Sequence, residues 1–164
     1  MKNLLRAKAL GHIGSLTMIA LIATLGIQAA RGAAAVGTIG PNFTIRNHKT
    51  LQPLQLDSYQ GSIVLLDFWA YWCGPCASAA SDMEPNIVQY YRNNGGSANG
   101  LPVTVISVSV DLGDLTSANN FISTYGLELV ADDTTGAYGT YGDGYIPYMV
   151  VLNGTTNSTN CQTW

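Results

Sequence analysis

Two cysteines separated by two residues are the part of this sequence best suited to chemistry. Cys73 and Cys76 follow an apolar stretch at residues 63–66. If a helix begins near Cys73, its unpaired amide N–H groups and the positive end of its dipole favour the thiolate form of that cysteine. The thiolate is the nucleophile of thiol–disulfide exchange. We therefore predict that Cys73 attacks a partner disulfide and that Cys76, three positions on, resolves the product.

The residues around the pair fit the beginning of a helix and a contact surface. Gly74 lets a partner backbone approach closely, and Pro75 lacks the N–H that would be unpaired in the first turn. Trp72 precedes the pair and is expected to shield the disulfide and contact partners, whereas Trp69 is expected to pack in the core.

The pair has two other interpretations. A zinc site needs two further ligands, and the chain offers only Cys161, His12 and His48 beyond the pair. We therefore expect no metal. A purely structural disulfide is the stronger alternative, although so small a loop constrains the unfolded chain little.

Asp67 is a further candidate for chemistry. A carboxylate near the end of an otherwise apolar strand is costly unless it has a task or a hydrogen-bond partner. Both interpretations, a proton-transfer group and a hydrogen-bonded structural acid, stay open from the residues alone.

Residues 66–76, which read LDFWAYWCGPC, resemble the active-site segment of the thioredoxin superfamily. Residues 40–45 and 56–61 are similar to the entry segment of its TlpA/ResA-like and peroxiredoxin-like branches. The resemblance covers about residues 37–153. It implies an α/β thioredoxin-like fold, with a central mixed sheet flanked by helices.

The resemblance also implies roles for particular residues. Asp67 would move a proton to or from Cys76, and Ile146 would offer its backbone to a substrate peptide as an added strand. Pro147 would be cis and would hold that edge beside the cysteines. The alternative for Pro147 is that it merely opens an edge strand. No organic cofactor is implied, because the cysteines carry the electrons.

The pattern after the motif predicts alternating helices and strands. We expect a helix over residues 77–92, strands over 103–110 and 127–130, a second helix over 115–125, and a final strand ending at residue 152. Asp114 should cap the second helix and Gly126 should end it. Asp132 and Asp133 are expected in a solvated turn.

Two details of the first helix are expected to matter. Relatives usually carry a proline five residues after the second cysteine, where this chain has Ser81, and Pro85 follows one turn later. The kink is therefore expected to be shifted or missing. The residues expected to contact the core are Met83, Ile87, Val88, Tyr90 and Tyr91.

The N-terminal residues predict export. Lys2, Arg6 and Lys8 precede an apolar stretch at residues 13–27, and small residues follow at 33–35. This order is typical of a secretory signal peptide, and an uncleaved membrane anchor is the alternative. We therefore divide the chain into residues 1–35 and a thioredoxin-like domain at residues 36–164.

Composition restricts the partners. The domain carries three basic and ten acidic side chains, which argues against nucleic acid and anionic membrane surfaces. Membrane contact is expected only if the N-terminal segment is uncleaved. At the other end, residues 153–164 leave room for a short strand near residues 160–164 but for no closing helix, and we assign no catalytic role to Cys161.

The leading hypothesis is a periplasmic or otherwise secreted thiol–disulfide oxidoreductase. It would act on exported proteins that contain disulfides or dithiols, more as a reductase than an oxidant, with an unidentified redox partner. A second hypothesis is a peroxiredoxin-like peroxide reductase. A third is a non-catalytic binding module with a fixed disulfide.

Overall fold

A computed structural model describes residues 34–35, 37–154 and the backbone of 162–163. A 3-10 turn at Leu56–Tyr59 lies between the second and third strands, and a π-helical turn at Glu84–Val88 lies between the first two helices. The strands are β1 Thr44–Asn47, β2 Pro53–Gln55, β3 Ile63–Trp69, β4 Val103–Ser109, β5 Val130–Asp132, β6 Tyr148–Asn153 and β7 Gln162–Thr163. The helices are α1 Gly74–Met83, α2 Gln89–Asn93, α3 Leu115–Tyr125 and α4 Tyr138–Tyr141.

The described strands form one mixed sheet in the order β2-β1-β5-β4-β3-β6-β7. β3, β4 and β5 are parallel, and the other neighbours pair antiparallel. β3 and β4 are rich in branched apolar residues, which suits strands covered on both faces. The expected α/β thioredoxin-like architecture is confirmed, and the cysteine pair follows a central strand.

Each sheet face carries its own apolar cluster. On one face, Leu66, Phe68 and Ile106 pack with Tyr141 of α4. On the other face, Trp69 packs with Cys76 of α1 and with residues of α3. The second cluster fixes the redox pair against the end of β3.

The first predicted helix is interrupted at a point where the sequence alone did not decide between a shifted and a missing kink. Pro85 has no backbone N–H to donate, and the helix widens at Glu84–Val88 into a π turn before it resumes as α2. The irregularity is therefore shifted to Pro85 rather than missing. Met83 is buried as predicted, but Tyr90 is 56% exposed, so its expected core contact is wrong.

The helix predicted over residues 115–125 is found as α3 with the same bounds. Asp114 caps α3 by accepting a hydrogen bond from the backbone N–H of Ser117 at 3.0 Å. Gly126 ends the helix with φ of 66°, a conformation that side chains with a Cβ rarely adopt.

The strand after α3 begins later than predicted, and this changes the environment of one acid. β5 begins at Val130, so Asp132 lies within it and is only 1% exposed. The prediction of a solvated turn at Asp132 is therefore wrong. Arg46, on the neighbouring strand β1, binds this carboxylate and makes its burial possible.

Several predictions fall on the chain termini. The short strand expected near residues 160–164 is found as β7. The predictions of a signal peptide or anchor and of no closing helix, and Cys161 itself, concern residues outside the described ones, apart from 34, 35 and β7. Among the described helices, none combines the length and apolar character needed to cross a bilayer.

Candidate active site

The cysteine pair forms a disulfide at the beginning of α1. The two sulfurs are 2.03 Å apart, and Cys73 is the N-cap of the helix. Its Sγ accepts a hydrogen bond from the backbone N–H of Cys76 at 3.1 Å. An N–H donor at this position stabilises negative charge on Cys73 Sγ, because hydrogen bonds to a charged acceptor are stronger than those to a neutral one. The local geometry therefore favours a Cys73 thiolate, as the motif predicts.

Both cysteines are largely buried, but the surroundings favour Cys73 as the one that a partner can reach. Cys73 is 6% exposed and Cys76 is 1% exposed. Gly74 and Pro75 are both exposed, and a Cβ added at Gly74 would meet nothing within 4 Å. The surface beside Cys73 is therefore open to a partner backbone, whereas Cys76 lies on the buried side of α1. The assignment of Gly74 and Pro75 to substrate contact stays a prediction.

A second segment faces the pair from the turn before β6. The Ile146–Pro147 peptide bond is cis, so the expected conformation of Pro147 is confirmed. The carbonyl oxygen of Ile146 lies 3.7 Å from Cys73 Sγ. Tyr145, the preceding residue, is 79% exposed. This segment brings backbone groups to the redox sulfur, which is what a substrate strand would need.

Two tryptophans near the pair have different environments. Trp69 is 1% exposed and stacks on Phe121 at 4.4 Å between ring centroids, so its expected packing role is confirmed. Trp72 is 62% exposed, and its Nε1–H donates to Asp111 Oδ2 at 2.7 Å. The sequence did not single out Asp111 as a partner of Trp72, because they are 39 residues apart.

Asp67 is buried within β3. It is 2% exposed and lies opposite Ser107 of β4 and Met149 of β6. Burial raises its pKa to about 6. Among the described residues its Oδ1 has no hydrogen-bond partner. Asp67 shares a sheet face with Trp69, and hence with the cluster around the cysteines, so it can hold or release a proton near neutral pH on that side.

The two arginines of the domain are engaged away from the pair. Arg46 donates to Asp132, and Arg92 Nη1 donates to Glu128 Oε1 at 3.0 Å. A peroxide reductase, the second hypothesis above, would need an arginine beside its reactive cysteine to steer the peroxide. These ion pairs give no support to that alternative.

A second polar cluster surrounds Asp132. Arg46 binds one carboxylate oxygen through Nε and Nη2 at 2.9 and 2.7 Å, and His48 Nδ1 lies 2.7 Å from the other. His48 Nε2 lies 3.0 Å from Asn119 Oδ1, so the imidazole bridges the β1–β2 hairpin to α3. Burial alone would lower the pKa of His48, but the hydrogen bonds to Asp132 and Asn119 outweigh it, and the pKa is raised.

This cluster predicts a pH-dependent contribution to stability. The folded pKa of His48 lies above its unfolded value, so its contribution is fully present below about pH 6.5 and is lost as pH rises through the folded pKa. Replacing His48 with Gln should therefore destabilise the protein more at pH 5.5 than at pH 8.5. Urea denaturation at the two pH values measures the difference. An equal loss at both would show that the imidazolium has no special role.

The fold and the cysteine pair define a thiol–disulfide oxidoreductase of the thioredoxin class, built on a mixed sheet with the pair at a helix N-terminus. A profile of the AhpC/TSA family matches residues 36–156, and the chain belongs to that family.

Similar proteins agree with this class. The "Thiol-disulfide oxidoreductase ResA" of Bacillus anthracis is 28% identical over 130 residues, which cover 78% of this chain and 69% of that protein. The ResA of Bacillus subtilis (strain 168) is 24% identical over 144 residues, which cover 83% and 75%. Both relatives are named thiol-disulfide oxidoreductases, and the similarity covers 78% and 83% of this chain.

Solved structures show the same fold. A secreted Mycobacterium tuberculosis disulfide oxidoreductase homologous to E. coli DsbE matches with a TM-score of 0.55 and 24% identity, covering 71% of this chain and 80% of that chain. The thioredoxin domain of a thiol-disulfide oxidoreductase from Bacteroides vulgatus matches with a TM-score of 0.59 and 17% identity, covering 80% and 88%. At these identities the likeness concerns the fold.

Proposed function

We propose that this protein is an extracytoplasmic reductase of disulfides in exported proteins. The observation that carries the proposal is the position of Cys73. Its sulfur accepts the Cys76 N–H at a helix N-terminus and faces the Ile146 carbonyl at 3.7 Å. The Cys73 thiolate and the Ile146 carbonyl, a backbone hydrogen-bond acceptor, then face an extended substrate from the same side.

The reaction runs in two exchange steps. The Cys73 thiolate of the reduced protein attacks one sulfur of the substrate disulfide, the substrate S–S bond breaks, and its other sulfur leaves as a thiolate that takes up a proton. The Cys76 thiolate then attacks Cys73 Sγ and releases the second substrate thiol. Two electrons pass from the cysteine pair to the substrate, and the Cys73–Cys76 disulfide is the product. A dithiol partner must then reduce the protein again.

Asp67 serves the second step. Cys76 is 1% exposed and must lose its proton before it attacks. With its pKa raised to about 6 by burial, Asp67 is ionised at neutral pH yet basic enough to accept that proton. In the reverse direction the protonated carboxyl returns it.

Substrate contacts follow from the same geometry. A cystine-containing segment lies between Trp72 on one side and the Ile146–Pro147 turn on the other, with its backbone paired to Ile146. Gly74 and Pro75 leave the space over Cys73 open. The partners are exported proteins with disulfides or dithiols, and neither nucleic acid nor an anionic membrane surface is expected.

Location outside the cytoplasm rests on the N-terminal sequence and on the relatives. Residues 1–35 have the order of charges and apolar residues of a signal peptide, which leaves residues 36–164 as the thioredoxin-like domain. The Mycobacterium tuberculosis protein of similar fold is described as secreted. Outside the cytoplasm, exported proteins carry disulfides that such an enzyme can reduce.

The reduction potential of the Cys73–Cys76 pair tests the direction of electron flow. We expect a value near that of thioredoxin, about −270 mV, when the purified protein is equilibrated with dithiothreitol or glutathione buffers. A value near about −120 mV, as in strong periplasmic oxidants, would reverse the direction. A pair that resists reduction altogether would mean a structural disulfide and would overturn the proposal.

A further inference from the structure

A hydrogen bond from α4 reaches the segment that faces the redox sulfur. The hydroxyl of Tyr138 donates to the carbonyl oxygen of Tyr145 at 2.8 Å. Tyr145 immediately precedes Ile146, whose carbonyl lies 3.7 Å from Cys73 Sγ. The position of the Ile146 backbone is therefore tied to a side chain that itself lies outside the cysteine site.

The ring of Tyr138 is held by two contacts. It packs against Phe68 of β3, with 5.4 Å between ring centroids. It also lies against Gly142, where an added Cβ would be 2.1 Å from the ring carbon Cε2. Glycine at this position allows the close approach. The hydroxyl is therefore presented from a fixed ring rather than from a mobile one.

The backbone that carries Tyr138 is also anchored. The Asp133 carboxylate accepts hydrogen bonds from the backbone N–H groups of Ala137 and Tyr138, at 2.6 and 3.0 Å. The Asp133 N–H donates to the Ser109 carbonyl at 3.0 Å, at the end of β4. A continuous series of contacts thus runs from the central sheet through α4 to the Tyr145 carbonyl.

The phenol of Tyr138 remains a hydrogen-bond donor at neutral pH. Burial, and after it the negative charge of Asp143, raises the pKa of Tyr138 above its usual value of about 10. The hydrogen bond to Tyr145 therefore persists at neutral and mildly alkaline pH.

We propose that Tyr138 is a positioning residue for disulfide exchange with polypeptides: its hydroxyl holds the Tyr145–Ile146 backbone where an extended substrate strand can pair with it beside Cys73. The inference rests on the proposed function and concerns the same site. This role of Tyr138 would distinguish two classes of substrate. A polypeptide uses the Ile146 backbone, whereas a small disulfide without peptide groups needs only the sulfur.

Replacing Tyr138 with Phe tests this directly, because the ring packing is kept and one hydroxyl is lost. We expect the KM for a fluorescence-quenched cystine decapeptide to rise about two- to tenfold, the range for loss of one hydrogen bond. The rate constant with hydroxyethyl disulfide and the reduction potential should not change. A structural defect at the cysteines would alter all three.

Two further variants sharpen the test. Gly142→Ala pushes the Tyr138 ring away without touching a hydrogen-bonding atom, and it should raise the KM for the decapeptide in the same way. Tyr90→Phe removes a hydroxyl from an exposed tyrosine of α2 and should change nothing. Unchanged peptide kinetics in Tyr138→Phe, or equal losses with both substrates, would overturn the proposal while the proposed function stood. If the unmodified protein reduced no peptide disulfide, the proposed function would fail and this inference with it.

Discussion

Replacing Cys73 with Ser should reduce disulfide exchange to the uncatalysed background, whereas replacing Cys76 with Ser should leave the first step intact and trap the substrate. The reason is the difference in position of the two sulfurs. Cys73 faces the open surface at the helix N-terminus, and Cys76 lies beneath it with 1% exposure. Without the resolving thiol, the mixed disulfide on Cys73 has no internal route to release.

Non-reducing gel electrophoresis after reaction with an oxidised substrate protein measures the trapped species. The double variant Cys73→Ser/Cys76→Ser is the control, because it should trap nothing. A Cys76→Ser protein that forms no mixed disulfide, or a Cys73→Ser protein that does, would contradict the assigned order. The first of these results would favour a binding module with a fixed disulfide.

Replacing Asp67 with Asn should make the oxidised protein more stable at pH 8. It should also slow the release of substrate from the mixed disulfide on Cys73. Because burial raises its pKa to about 6, Asp67 holds its proton up to about pH 6 in the folded protein, whereas in the unfolded chain it releases the proton near its usual pKa of 3.8. Stability therefore falls as pH rises between these values, by up to about 3 kcal/mol for a difference of about two pKa units. Asn carries no charge to bury, so the variant avoids this loss.

Urea denaturation of the oxidised protein at pH 4 and pH 8 measures the change in stability. The variant should gain stability over the wild type at pH 8 and lose most of that advantage at pH 4. The lifetime of the mixed disulfide above pH 6 should lengthen, since no carboxylate accepts the Cys76 proton. Asp82→Asn, an exposed carboxylate on α1, should show neither effect. An equal gain at both pH values would mean that the effect is not the titration of Asp67.

The sequence predicted the features that depend on local chemistry. The Cys-Gly-Pro-Cys spacing placed the beginning of α1, and Asp114 and Gly126 placed both ends of α3. In these cases the signal is carried by residues within one turn of the feature. The cis bond before Pro147 was also predicted, although by resemblance to a family rather than by local chemistry.

Features that depend on distant partners were missed. Asp132 reads as part of a polar turn, but Arg46, 86 residues away, neutralises it within the sheet. The π turn at Pro85 changes which residues of the helix face the core. A regular helical period assumed across this turn therefore places Tyr90 in the core, which is wrong. The link from Tyr138 to Tyr145 likewise depends on how α4 lies, and no spacing rule contains that information.

One edge of the described sheet bears on contacts with extended polypeptide chains. β2, the strand at that edge, is three residues long and begins with Pro53. Short strands and proline leave few free backbone groups for a foreign strand to pair with. Under the proposed function, extended substrate chains would find little to pair with at this edge. A substrate strand would then pair instead at the Ile146 backbone beside Cys73, where exchange ends in its release.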